Sequence, residues 1–253
     1  MKVIFLGAGR GSRLMPYTED CPKSLTELHG RRLLDYGIEA MRAAQPTEMV
    51  CVVGWCGERV EAAYPELAIR RNPEWASTNM LHSLLCAADC MNEGFFCAYT
   101  DILYRPEIVA ALAESSGDIV LGVDTRWRER YQRRTQHPED DAEKVLAAGD
   151  RVTRLDRRLS AEDAHGEYIG VARFSPRGAA LLREHYARCR AAYEGRPFQQ
   201  ARDFGNAYLI DLLQEMIEQG VPIHKVDTAG GYHEIDTLED YELALREWPT
   251  PSG

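Results

Sequence analysis

Several common features are missing from this sequence, and each absence removes a class of function. No stretch of the 253 residues stays apolar over the length, about 20 positions, that a membrane-spanning helix needs. The chain enters a strand at its first residues, which predicts no signal peptide, no membrane partner and a cytoplasmic location. Positive charge is scarce. Thirty Lys and Arg against 40 Asp and Glu leave a net charge of −10, which argues against nucleic acid as a main partner. The seven cysteines contain no CxxC pair and mostly fall in apolar runs, so they read as buried free thiols. The seven histidines are scattered, without the close ligand pairs of a zinc site. No repeat, low-complexity tract or linker divides the chain, so one domain over residues 1–253 is expected.

What is present is concentrated at the start. Val3, Ile4, Phe5 and Leu6 form a continuous apolar run, the pattern of a strand buried on both faces. It passes directly into Gly7-Ala8-Gly9-Arg10-Gly11-Ser12-Arg13, followed by Pro16 and by Pro22-Lys23. Glycines at alternate positions leave backbone N–H groups unshielded and permit positive φ, so this loop can surround polyphosphate oxygens with amide donors. Arg13 adds a planar fork and Lys23 a point charge for the same anion. Two other glycine loops do not fit. A dinucleotide fingerprint needs a third glycine where Ser12 stands, and a Walker A loop closes on Gly-Lys-[Ser/Thr], whereas this lysine arrives far downstream.

Downstream, strands predicted at 49–54, 67–70, 95–100 and 118–123 alternate with helices at 33–44 and 58–64, around Leu81–Ala88, and from Pro106. This rhythm indicates βαβ units and a mostly parallel sheet. Thr78 is the expected cap of the helix carrying Leu81, Leu84 and Leu85. Residues 124–166 break the rhythm and are rich in Arg, Asp and Glu. A hairpin of 143–147 against 151–155, turning at Gly149-Asp150, is expected there as an insertion over the active-site edge. A strand at 168–174 then leads through Ser175-Pro176 into a long helix. A further helix is expected over about 205–220, with Tyr208 on its apolar side, then short strands at 221–226 and 232–235. Thr237 to Asp240 forms a capping box, and the tail 249–253 is expected to fray. Asp101 closes the third strong strand, at the carboxyl ends of the strands, where open α/β sheets bind ligands.

Taken together, Leu6 through Leu25 resembles the LxxGxGSRLxPxTxxxPKxL signature of the nucleotidyltransferases that make NDP-sugars and CDP-linked small molecules, with Gly7 where alanine is usual. Asn72-Pro73-Glu74-Trp75, Thr78-Asn79, Ser83-Leu84, Thr100-Asp101, Glu167-Tyr168-Ile169-Gly170 and Glu234-Ile235-Asp236 extend the likeness to the cytidylyltransferase branch, which includes enzymes acting on phosphocholine and 2-aminoethylphosphonate. The resemblance implies an α/β, Rossmann-like three-layer domain with a mostly parallel mixed sheet and a small inserted hairpin. It further implies that Arg13 and Lys23 are catalytic and that Leu6, Gly7, Ala8, Gly9, Gly11, Ser12, Asn79, Ser83 and Thr100 line a CTP site. Asp101 and Asp236 would then hold Mg²⁺, a hard cation that prefers oxygen ligands.

The expected reaction is attack of a phosphate or phosphonate oxygen on the α-phosphorus of CTP. That nucleophile is already anionic near neutral pH, so no general base is required. For the acceptor, the insertion offers Trp127, Glu143 and Lys144, and the following strand offers Tyr168. An aromatic cage would suit a quaternary ammonium, carboxylates a primary amine, and Lys144 or an arginine the phosphonate. Trp127 and Tyr131, four residues apart, fit core packing as well as a cage. A sugar-1-phosphate nucleotidyltransferase is the second reading, and a non-catalytic nucleotide-binding regulator the third. A homodimer is compatible with the sequence and required by nothing in it.

Overall fold

The computed structural model describes residues 1–250. Its strands and helices run in the order β1 (Lys2–Gly7), β2 (Glu27–Leu28), β3 (Arg31–Arg32), α1 (Leu33–Met41), β4 (Met49–Val53), α2 (Gly57–Ala63) and β5 (Ala68–Arg71). There follow α3 (Met80–Leu85), β6 (Phe95–Tyr99), β7 (Ile102–Tyr104), α4 (Pro106–Glu114), β8 (Ile119–Asp124) and α5 (Trp127–Tyr131). The chain continues with β9 (Lys144–Ala148), β10 (Arg151–Leu155), β11 (Gly166–Phe174), α6 (Pro176–Tyr193), α7 (Leu209–Glu218), β12 (His224–Thr228), β13 (Tyr232–Glu234) and α8 (Leu238–Glu247).

Nine strands form one sheet in the order β5-β4-β1-β6-β11-β8-β12-β10-β9, with β9 returning to pair also with β11. The first four are mutually parallel up to β6, as the alternating strands and helices predict. From β11 onward the sheet is mixed: β11 runs antiparallel to both neighbours, and only β8 and β12 pair in parallel. The apolar run of β1 lies between β4 and β6, where Val3, Ile4 and Phe5 are wholly buried. The expected hairpin is present as β9 and β10. It extends the sheet edge through β12 rather than standing apart from it.

Local chemistry explains the helix starts. The Ser175 hydroxyl accepts from the Gly178 N–H with Pro176 at the first turn of α6, and Thr237 and Asp240 close a capping box on α8. Asn79, not Thr78, caps α3, its side chain accepting from the Met80 N–H. The Thr78 hydroxyl instead donates to the Glu74 carbonyl, finishing the turn before the helix. Helix α7 begins at Leu209, later than the apolar stripe suggests, because 204–206 form a separate 3-10 turn and Tyr208 stands at the N-cap. The frayed tail expected over 249–253 falls in part on 251–253, outside the described residues.

Two features set the position of the site. Outside the main sheet, β7 pairs antiparallel with β13. Beneath that pair, Leu14, Leu33, Leu103, Ile235 and Ala244 form a second apolar cluster. Leu14 follows Arg13, Leu103 lies two residues after Asp101, and Ile235 precedes Asp236. Burying those apolar neighbours fixes the backbone that carries all three charged side chains.

Candidate active site

The glycine loop leaves the C-terminal end of β1 and folds back over Lys23. Gly11 has φ +67, in the left-handed region, and a Cβ there would stand 2.8 Å from Lys23 Cε. Glycine at this position therefore serves both the turn and the lysine running past it. The fully buried Thr18 donates its hydroxyl to the Gly11 carbonyl at 2.7 Å and ties the loop's far side down. A Cβ on Gly7 would meet Thr100 Oγ1 at 2.7 Å. Thr100, at the end of β6, thus occupies the space an alanine methyl would need, which accounts for the chain's departure from the usual alanine.

The two acidic residues meet through the small ribbon. Glu234 pairs with Ile102 across β7 and β13, and the Ile235 N–H donates to the Asp101 carbonyl at 2.8 Å. Residues 135 positions apart are thereby placed side by side. Lys23 Nζ donates to Asp101 Oδ2 at 2.9 Å and to Asp236 Oδ1 at 2.5 Å. Arg13 Nη2 lies 2.5 Å from the other Asp236 oxygen, and its Nη1 donates to Asp141 at 3.2 Å. Burial would favour a neutral Lys23 amine, but Asp101 and Asp236 hold its pKa above the ordinary lysine value. Burial likewise opposes the Asp236 charge, and Lys23 followed by Arg13 and His137 keeps its carboxyl below the usual range. Both Asp236 and Thr237 donate their N–H groups to Asp240 Oδ2, so the metal candidate sits on a rigid helix entrance.

These residues wall a cavity of about 320 Å³. Leu6, Gly7, Ala8, Gly9, Gly11 and Ser12 line one side of it, with Arg13, Lys23, Asp101 and Asp236 at its charged end. Thr100, Asn79 and Ser83 complete the predicted set, and all of them face this space. Ser83 and Asn79 also support each other, since Asn72 Nδ2 donates to Ser83 Oγ at 2.9 Å and Ser83 Oγ to the Asn79 carbonyl at 3.3 Å. Among the described residues, no three His, Cys, Asp or Glu side chains gather as a self-sufficient metal site. Two carboxylates facing one cavity do fit Mg²⁺, which usually takes one or two protein carboxylates and completes its shell with substrate phosphate and water.

A second cavity of about 210 Å³ adjoins the first, and Arg13, Met80, Asp101, Tyr208 and Asp236 line both. The predicted acceptor residues divide here. Glu143 and Tyr168 face the second cavity, whereas Trp127 and Lys144 do not. Trp127 is 1% exposed and packs on Tyr131 and Ala142 in a satellite core, so core packing accounts for it and a cage does not. Lys144 is turned inward, with Nζ donating to the Arg157 carbonyl at 2.5 Å. Besides Arg13, the guanidinium lining this cavity is that of Arg157. It pairs with Glu143 at 3.1 Å and lies over the Tyr208 ring at 3.7 Å.

Sequence reasoning assigned no acceptor role to Arg157, Tyr208, Tyr99, His137 or Glu234, all of which line this cavity. Arg157 is hidden in a run containing Arg154 and Arg158, both exposed. Tyr208 lies in an apolar stripe, where a capping residue leaves no separate signal. Glu234 stands beside the Asp236 signature. Burial pushes its carboxyl up to about 7 despite His137 and Arg134 nearby.

With this geometry in place, known proteins supply a frame. Residues 3–187 match the MobA-like NTP transferase domain. The CTP:phosphoglutamine cytidylyltransferase of Campylobacter jejuni is 28% identical over 257 residues, covering 98% of this chain and all of that protein. Two solved structures share the fold, each with a TM-score of 0.73. The CTP:phosphocholine cytidylyltransferase of Streptococcus pneumoniae is 18% identical and covers 97% of both chains. The inositol-1-phosphate CTP transferase of T. maritima is 22% identical and covers 98% of this chain and 96% of its own. The glycine loop, the charged geometry around Lys23 and a domain match over most of the chain lead to one conclusion: this protein belongs to the MobA-like NTP transferase family.

Proposed function

We propose that the protein couples CTP to a small phosphorylated or phosphonate acceptor, releasing pyrophosphate and a CMP-linked product. The observation that carries this reading is the shared wall. Arg13, Asp101 and Asp236 border both cavities, so a nucleotide in the larger and an acceptor in the smaller would meet at these three side chains. The full-length relative in C. jejuni, named for CTP and phosphoglutamine, supports the choice of nucleotide.

In this reading the loop amides from Gly9 to Ser12 hold the β- and γ-phosphates, and Asn79 and Ser83 face the nucleoside. An acceptor oxygen attacks the α-phosphorus in line. The new P–O bond forms as the bond to the α,β-bridging oxygen breaks, and that electron pair leaves with pyrophosphate. Lys23 and Arg13 neutralise charge on the reacting phosphoryl oxygens, exchanging their present carboxylate partners for phosphate. Mg²⁺, held by Asp101 and Asp236, would supply further charge neutralisation. No side chain need remove a proton from the acceptor, because a phosphomonoester is largely dianionic above pH ~6. Seven free cysteines fit a reducing, cytoplasmic setting for this activity.

Pyrophosphate release from each nucleoside triphosphate, with phosphocholine, 2-aminoethylphosphonate and glucose 1-phosphate as acceptors, tests this. CTP should support release with a small phosphorylated or phosphonate acceptor. Turnover of glucose 1-phosphate alone would move the chain to sugar-nucleotide synthesis. CTP binding without release from any acceptor would make it a regulator.

A further inference from the structure

The wall that α3 and the turn before it give the nucleotide cavity carries no ionisable side chain: Trp75, Thr78, Asn79, Met80 and Ser83 line it. It contrasts with the charged end at Lys23, Asp101 and Asp236, and it suits a base rather than a phosphate. Trp75 offers an aromatic surface for a flat heterocycle and is braced edge-on by Trp55, with 5.5 Å between ring centroids. Behind this wall lies Asn72, which is 1% exposed and does not itself line the cavity.

Asn72 fixes the direction of the hydrogen bonds around it. Its Oδ1 accepts from the Glu74 N–H at 2.9 Å, a backbone donor that cannot be reversed, so its Nδ2 must face the other way. There it donates one hydrogen to Thr78 Oγ1 at 3.0 Å and one to Ser83 Oγ at 2.9 Å. Each hydroxyl passes its own hydrogen to a main-chain carbonyl, Thr78 to Glu74 at 2.7 Å and Ser83 to Asn79 at 3.3 Å. A hydroxyl has one donor hydrogen and two lone pairs. With the hydrogen and one lone pair engaged, Thr78 and Ser83 each keep a single lone pair. Two hydroxyls on one wall of the cavity are thus acceptors only.

We propose that Thr78 and Ser83 accept from the 4-amino group of cytosine, and that Asn72, a positioning residue, orients both hydroxyls against uracil. This rests on the cytidylyl-transfer reading and supplies its base selection. An amino group carries two N–H donors, as the Asn72 amide nitrogen does, and can span the same two hydroxyls from the cavity side. The 4-oxo group of uracil has only lone pairs to offer, and neither hydroxyl has a hydrogen free to meet it. Leaving that oxygen unpaired costs binding, so selectivity arises from rejection as much as from attraction.

Calorimetric binding of three triphosphates in Mg²⁺ without acceptor tests it: CTP, UTP and pyrimidin-2-one ribonucleoside triphosphate, which is CTP lacking only the 4-amino group. All three bases have one ring, so the comparison holds size constant. CTP should bind tighter than the pyrimidinone by on the order of tenfold, the worth of the hydrogen bonds to one amino group, and UTP should bind more weakly than either. Thr78→Val and Ser83→Ala should each lower the CTP-to-pyrimidinone ratio, and T78V/S83A should bring it towards one. Asn72→Ala releases both hydroxyls to rotate, so UTP should close its gap to the pyrimidinone. Equal weakening of all three triphosphates in that variant would reduce Asn72 to a structural part and overturn its role. Melting temperature checks the fold of each variant, and the wild-type comparison stands without any of them. Equal affinity of the wild type for CTP and the pyrimidinone overturns the proposal, as does a preference for CTP that survives T78V/S83A. Pyrophosphate release is scored separately. Release from CTP without the amino preference removes this proposal alone, and the amino preference without release from any acceptor removes the transfer reading alone.

Discussion

Lys23 is the side chain on which the site's electrostatics turn. It is 8% exposed and bridges two carboxylates that would otherwise face each other across the cavity. Lys23→Ala should lower kcat by about 10²–10³, the loss typical of removing one preorganised donor to developing charge. The same variant should gain more thermal stability from added Mg²⁺ than the wild type does, because the metal no longer competes with an internal cation. A melting curve with and without Mg²⁺ reads this directly. Gly11→Ala should act on the same residue indirectly. The left-handed φ costs about 1 kcal/mol for alanine, and the new methyl would push Lys23 from its carboxylates. Circular dichroism should show a folded protein, and pyrophosphate release should fall at least tenfold. Trp127→Ala makes the opposite case. It should cost about 3–5 kcal/mol of stability, as large buried aromatics do, while leaving the choice among acceptors unchanged. At this scale, legibility followed how much each residue's role depends on local sequence. The loop, Arg13 and Lys23 lie on one short segment with a strong pattern, and all were identifiable. Arg157 differs from its exposed neighbours only in where the backbone aims it.

Among the elements, the β7–β13 ribbon carries the greatest consequence for so few residues. It brings Asp101 and Asp236 together, yet three-residue strands give almost no periodic signal, and the pairing itself was not legible. The strand ends were readable because each closes an apolar run. The second such element is the turn after β10, which aims Arg157 into the smaller cavity. Asp156 organises it, its carboxylate accepting from the Arg158 N–H at 2.8 Å and from the Arg154 guanidinium at 2.8 Å. Burial opposes the Asp156 charge, but the Arg158 and Arg154 hydrogen bonds hold its carboxyl below the usual range. Its contribution to stability is therefore fully present above the unfolded value, about 4, and is lost as pH falls through the lower folded value. Both arginines are more than half exposed, so solvent screening keeps the contribution to about 1 kcal/mol or less. Asp156→Asn should flatten the acid limb of the stability profile below pH ~4, as measured by urea denaturation at each pH.

For the whole molecule, hydrophobic patterning gave the layered α/β architecture and the order of elements, because buried parallel strands are written as continuous apolar runs. The antiparallel course of β11 was not legible. A strand buried on both faces looks the same in either direction, and here it runs antiparallel to β6, β8 and β9 alike. This mixed half of the sheet builds the smaller cavity, with Glu143, Glu167 and Tyr168 coming from β11 or the residue before β9. The proposed function therefore assigns nucleotide chemistry to the parallel half and acceptor choice to the mixed half, with Arg13, Asp101 and Asp236 at the seam.

That division makes one stereochemical demand. If nucleotide and acceptor meet across the shared wall, the α-phosphorus must be attacked once, from the side opposite the leaving pyrophosphate. The most direct test is the configuration of the product formed from chirally labelled α-thio-CTP. A single in-line displacement predicts inversion at the α-phosphorus. Retention would mean two displacements through a nucleotidylated side chain, and would contradict the account.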